Sequence, residues 1–167
     1  YMITYKKILH HEKFSVHALA FIPDQLSPTF AIGTHGYTAH KGTILPWATR
    51  LCDMDIPTVI FDQPGHYLGS FFEVEHFSDF TEHATELYEI AFDWLKELTE
   101  SSPSHLVLMG HSLGALTSLK ASNLSWTQNF KTATIAVGYG QPPADKTHLF
   151  DTDFYRKTLE TRKQLVS

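Results

Sequence analysis

The stretch Leu106-Val107-Leu108-Met109-Gly110-His111-Ser112-Leu113-Gly114 decides how this chain folds. Four apolar residues run straight into Gly-x-Ser-x-Gly, and Leu113, Leu116 and Leu119 then open a helical stripe. An apolar run this short and uniform reads as a strand covered on both faces rather than as a surface helix. Strand, sharp turn and helix therefore meet at Ser112. There the serine sits on strained backbone that projects its oxygen from the sheet, and the two glycines remove side chains that would collide as the chain reverses. The helix N-terminus that follows favours developing negative charge. A plainer reading makes Ser112 a helix cap and the glycines aids to packing; the agreement of motif and context favours the first.

Outward from this turn the same grammar repeats. Short apolar runs recur at 29–33 and 58–61, and a fourth at 133–137 ends in Gly138-Tyr139-Gly140. Helical stripes lie between them. One is Ile44, Leu45, Ala48, Leu51 and Cys52, with Pro46 tolerable in a first turn. Another, Phe80, Ala84, Leu87, Ala91, Trp94, Leu95 and Leu98, follows the 3.6-residue period from Ser78-Asp79 to Ser101-Ser102-Pro103. At the N-terminus, 3–9 and 14–22 read as an antiparallel hairpin around His10-His11-Glu12-Lys13, a polar turn expected in solvent. The order is hairpin, then β-α-β-α-β-α-β, then a tail. Such alternation predicts an α/β fold: a doubly wound, mostly parallel sheet with an N-terminal antiparallel hairpin, ligands collecting at the carboxyl ends of the strands.

Composition narrows the function. The 167 residues suit one domain, and 43% apolar with 19% charged residues supports a packed core. Thirteen basic against eighteen acidic residues give a net charge of −5, which argues against a nucleic-acid surface. Cys52 stands alone, so neither an internal disulfide framework nor a cysteine-rich zinc site is possible. No run approaches the ~20 apolar residues of a membrane span. The first residues lack the basic-then-apolar layout of a signal peptide, so a cytoplasmic location is expected.

Two further segments join the Ser112 turn in a resemblance to the α/β-hydrolase superfamily. His35-Gly36-Tyr37 follows the first parallel run and is similar to the family's His-Gly-x oxyanion loop. Phe61-Asp62-Gln63-Pro64-Gly65-His66 follows the next and resembles its Asp-x-Pro-Gly-His turn, continuing as Tyr67-Leu68-Gly69-Ser70 where small residues are usual. The resemblance covers residues 3 to about 140 and leans toward carboxylesterases, monoacylglycerol-lipase-like proteins and serine-peptidase-like members with a lid. It implies a serine hydrolase of ester or related acyl bonds acting on a small-molecule substrate, with no cofactor. Ser112 would be the nucleophile, and the backbone N–H groups of Leu113 and Tyr37 the oxyanion donors. The Tyr37 ring either walls an acyl pocket or simply packs.

The eleven histidines invite a metal reading, but none is assigned. His76 and His83 straddle a helix start with no third ligand in view, and His35, His66 and His111 are accounted for by the hydrolase motifs. His35 and His111 are expected to brace loops rather than act as bases.

The family places its acid and then its histidine after the nucleophile. After Gly140 this chain holds a polar link, Gln141-Pro142-Pro143-Ala144-Asp145, and a helical stretch at 151–166, with no further strand. Residues 1–150 therefore read as the N-terminal portion of a hydrolase core and 151–167 as the start of a lid helix, an incomplete α/β-hydrolase fold whose acid and base are missing. Asp145 and His148 are possible substitutes; otherwise they are a solvated loop acid and a surface histidine. Two other functions stay open: a non-catalytic hydrolase-like binding module, and a half-hydrolase completed by a second chain. A sheet ending at 133–137 exposes an apolar edge, so self-association is expected.

Overall fold

The computed structural model describes residues 1–74 and 76–140. The 151–167 lid helix and the candidates Asp145 and His148 lie outside the described residues.

Among the described residues a six-stranded mixed sheet carries three α-helices. The strands β1 (Met2–His10) and β2 (Ser15–Pro23) form the hairpin, in register from Met2 opposite Pro23 to His10 opposite Ser15. β2 turns Val16, Ala18 and Ala20 inward at alternate positions, as a half-exposed strand requires. Strands β3 (Thr29–Thr34), β4 (Thr58–Phe61), β5 (His105–His111) and β6 (Lys131–Val137) are mutually parallel, and β2 joins them antiparallel to β4. The sheet order is β1-β2-β4-β3-β5-β6, which leaves β3 in the middle.

The apolar runs are continuous because both faces are covered. Phe30, Ile32, Val59, Phe61, Leu106 and Leu108 face one core, against Leu87, Tyr88, Ala91, Trp94 and Leu95 of α2 (Phe77–Thr99). The alternate residues Ile60 and Met109 face the other, against Ala48 and Cys52 of α1 (Leu45–Cys52) and the adjoining Ile44. Each large side chain buried in this way contributes roughly 1.5–3 kcal/mol. Helix α3 (Leu113–Ala121) packs beside α2 and over β5. Leu45, expected in the α1 stripe, is instead 37% exposed, because the proline in the first turn places that residue at the helix's open start.

Local chemistry sets the helix ends. At the start of α2, His76 accepts from the Asp79 backbone while Asp79 Oδ2 accepts from His76 N–H at 3.1 Å, a reciprocal cap. Its C-terminus closes on Glu100 in the left-handed region, φ 48°. β6 differs from the other parallel strands: its residues alternate between exposed and half-buried, leaving Ile135 and Val137 open to solvent at the sheet's edge. Among the described residues no helix is long and apolar enough to cross a membrane.

Candidate active site

The loops that follow β3, β4 and β5 converge at the carboxyl ends of the parallel strands, the edge where this architecture gathers ligands. Ser112 links β5 directly to α3 with φ 52° and ψ −109°. That conformation disfavours any residue with a Cβ and persists only where its surroundings enforce it. The enforcement is visible. A Cβ on Gly110 would lie 2.1 Å from the Gly114 backbone, and one on Gly114 would lie 2.3 Å from the Thr34 carbonyl oxygen. Strand, helix and the loop after β3 thus meet in backbone contact, with room for glycine alone.

Ser112 N–H donates to the Val137 carbonyl at 2.8 Å, tying the turn to the end of β6. Its residue is exposed and its side chain makes no capping hydrogen bond to α3, so the plain helix-cap reading does not describe it. Among the described residues no side chain hydrogen-bonds its Oγ. Leu113 opens α3, so its N–H has no acceptor within the helix. Gly36 approaches from the other side: a Cβ there would lie 3.2 Å from Ser112 Cβ. The loop holding Tyr37 is therefore packed on the serine turn.

Tyr37 is half-buried, its ring edge-on to His66 at 5.7 Å and packed with Leu113, Phe80 and Val74. His35 is fully buried. Its Nδ1–H donates to the Gly36 carbonyl at 2.7 Å, and its Nε2 accepts Gln63 N–H at 3.0 Å. The Gln63 amide returns a bond to the His35 carbonyl at 2.6 Å. Burial drives the His35 pKa down to about 3, so the ring is neutral and both nitrogens are committed to the loops. His66 Nδ1–H donates to the Pro64 carbonyl at 2.9 Å within its own turn. His111 lies alongside Gly36 and Gly138, where Cβ atoms would come within 2.9 Å and 3.2 Å of its ring nitrogens. His35 braces the loops through these bonds, and the His111 ring lies between Gly36 and Gly138.

Pattern reading missed a buried ion pair. Asp62, wholly buried, accepts from Lys41 N–H at 2.8 Å and from Lys41 Nζ at 2.7 Å. It fastens the loop after β3 to the turn after β4, and only the aspartate carried a motif. The histidine reading needs correction as well. His11 is not solvated: its side chain is 4% exposed, stacked on Phe14 at 4.3 Å and bonded to Glu86. His83 does not stand apart either, since His11 and Glu86 are both beside it. The pairing of His83 and Glu86, three apart on a helix, was the available signal.

The family model for serine aminopeptidase, S33, matches residues 30–149, taking in all three loops. The chain belongs to that family. Among solved structures it resembles 2-hydroxy-6-oxo-6-phenylhexa-2,4-dienoate hydrolase (BphD) from Rhodococcus sp. strain RHA1, with 18% identity and a TM-score of 0.62 over 98% of this chain and 66% of that one. It also resembles the α/β hydrolase GrgF from Penicillium sp. sh18, with 16% identity and a TM-score of 0.61 over 80% of this chain and 45% of that one. The predicted hydrolase of Thermoplasma acidophilum gives 15% identity and a TM-score of 0.60, over 84% and 65%. These likenesses establish the α/β-hydrolase fold. The S33 chain spans between 45% and 66% of the length of these three structures. No curated protein matches it.

Proposed function

We propose that this S33-family chain carries the nucleophile and oxyanion site of a serine hydrolase for ester or related acyl bonds. The observation that carries the proposal is Ser112: positive φ, exposed, unused as a cap, and set where a helix begins. In the reaction Ser112 Oγ attacks the acyl carbonyl carbon, and its proton passes to a base. The C–O bond to the leaving group breaks as that group takes the proton, and water then releases the acyl chain by the same steps in reverse. The N–H groups of Leu113 and Tyr37 receive the oxyanion; losing one such donor typically costs about 3–4 kcal/mol of barrier.

Asp145 and His148 are our candidates for acid and base, with 151–167 as the beginning of a lid over a core of 1–150. A second reading stands beside this one: a hydrolase-like binding module, or a half-hydrolase that takes its base from another chain. Fluorophosphonate labelling separates them. Labelling of the wild-type chain that disappears in Ser112→Ala supports the nucleophile; none at any pH overturns it. Turnover of p-nitrophenyl butyrate then locates the base. Activity lost in His148→Ala places it in this chain, whereas activity that rises with the square of protein concentration places it in a partner.

A further inference from the structure

Away from Ser112, three side chains converge for which the hydrolase reading has no use. His11 comes from the β1–β2 turn, and His83 and Glu86 from one face of α2. Their ligand atoms all lie within 4.8 Å of one another. His11 Nε2 hydrogen-bonds Glu86 Oε2, and His83 Nδ1 points to the same oxygen from 3.6 Å. His83 Nδ1 is buried and forms no hydrogen bond. Apolar walls shape the recess: Phe14 stacks on His11, and Phe72 lies edge-on to His83 at 5.7 Å and packs on Phe14 at 4.9 Å. Glu86 is 47% exposed, so one side opens to water.

We propose that His11, His83 and Glu86 form a binding site for a borderline divalent cation, Zn2+ in the first instance. Two imidazole nitrogens and one carboxylate oxygen are the donors such an ion prefers, and the open side leaves its fourth position to water. Tetrahedral bonds of about 2.0–2.2 Å place donor atoms about 3.3 Å apart, and His83 Nδ1 already stands 3.6 Å from Glu86 Oε2. The ion would give a partner to the one buried nitrogen of the cluster that has no hydrogen bond, His83 Nδ1.

Binding also dictates a change on His11. Lys13 N–H donates to His11 Nδ1 at 3.1 Å, so the free ring carries its proton on Nε2. An ion on Nε2 moves that proton to Nδ1 and hands Lys13 N–H, which is exposed, to water. The site would clamp the hairpin to α2 beside the segment from the Asp62 turn to Val74. That segment already bonds the hairpin through Ser70, whose Oγ accepts Ser15 N–H and whose N–H meets the Ser15 carbonyl, both at 2.8 Å. β2 runs against β4 with Ala18 opposite Phe61, so the clamp stands on the same edge of the sheet as Ser112.

Calorimetric titration of the full 167-residue chain with Zn2+ in chelator-free buffer is the test. One ion should bind per chain. His83→Gln and Glu86→Gln, both partly exposed, should each weaken binding at least about tenfold, with thermal melts confirming that they fold. His10→Gln, an exposed histidine outside the cluster, should bind as wild type. Nitrogen NMR of the imidazoles should show one histidine, absent in His11→Gln, moving its proton from Nε2 to Nδ1 on saturation. No saturable binding, or equal affinity in His83→Gln and Glu86→Gln, overturns the proposal. These readouts do not depend on Ser112 or on any hydrolytic activity.

Discussion

Replacing Gly114 with alanine should damage stability and the serine together. The new Cβ would stand 2.3 Å from the Thr34 carbonyl oxygen and 2.7 Å from that of His35. Both are backbone atoms in a buried strand end, so neither can swing aside as a flexible side chain would. Restoring ordinary contact needs a displacement of about 1 Å between α3 and the loop after β3. Overpacking of this kind typically costs 1–3 kcal/mol. For a chain of this size that is roughly 2–4 °C in Tm for each kcal/mol. The displacement falls between Ser112, at the head of α3, and Tyr37, on the loop it pushes away. Misplacing reacting groups by 1 Å can cost about a hundredfold in rate. Thermal melts and fluorophosphonate labelling rates of wild type, Gly114→Ala and Gly140→Ala measure both. Gly140 has nothing within 4 Å of its would-be Cβ, so alanine there should change neither. A Gly114→Ala protein that melts within 1 °C of wild type and labels as fast would refute the close-contact account of the turn.

Lys41→Met should strand the wholly buried Asp62 carboxylate and cost about 3–5 kcal/mol, with part restored by adding Asp62→Asn; urea midpoints of the single and double variants measure it. His35 supplies a pH dependence of known sign. Its folded pKa of about 3 lies below the unfolded 6.5, so between these values the unfolded chain binds the extra proton and stability falls as pH falls, by about 1.4 kcal/mol per pH unit. His35→Gln, less stable overall, should show a shallower slope from pH 6.5 to 5, and an unchanged slope would contradict the assignment. At the β6 edge, Ile135 and Val137 stand 44% and 42% exposed, so sedimentation at roughly tens of micromolar should show self-association that Ile135→Lys with Val137→Lys reduces. A wild-type chain that sediments as a clean monomer would count against it.

The features legible in the sequence share one property: a few adjacent residues impose them. The runs at Phe30–Ile32, Val59–Phe61 and Leu106–Met109 are apolar at every step because both faces of these strands are covered: Phe30, Ile32, Val59, Phe61, Leu106 and Leu108 meet one core, while Ile60 and Met109 meet the other. The Ser112 turn is legible in part for the same reason, since Gly110 answers to a clash with the Gly114 backbone four residues on, whereas Gly114 answers to the distant Thr34 and His35 carbonyls. β6 shows the limit. Its apolar run looks like the others, yet Ile135 and Val137 are exposed, because coverage depends on what packs against a strand and not on the strand's own residues.

What stayed hidden lies in pairings between distant segments. Lys41 reads as one more surface lysine until β3 and β4 pair in parallel register, with Thr34 opposite Phe61, and the loops beyond them bring it to Asp62. His11 sits among polar neighbours that signal solvent, and only the fold places Phe14 under its ring and α2 across from it. The same strand ends account for both outcomes. Parallel strands deliver their following loops to one edge, so the Ser112 turn, whose motif is local, is found there along with contacts that no local pattern could announce. Lys41 with Asp62 bears on that turn: the ion pair fixes the loop that carries Gly36, and Gly36 is the residue against Ser112. The buried pair and the strained serine are therefore parts of one arrangement, and loosening the first should reach the second without touching it.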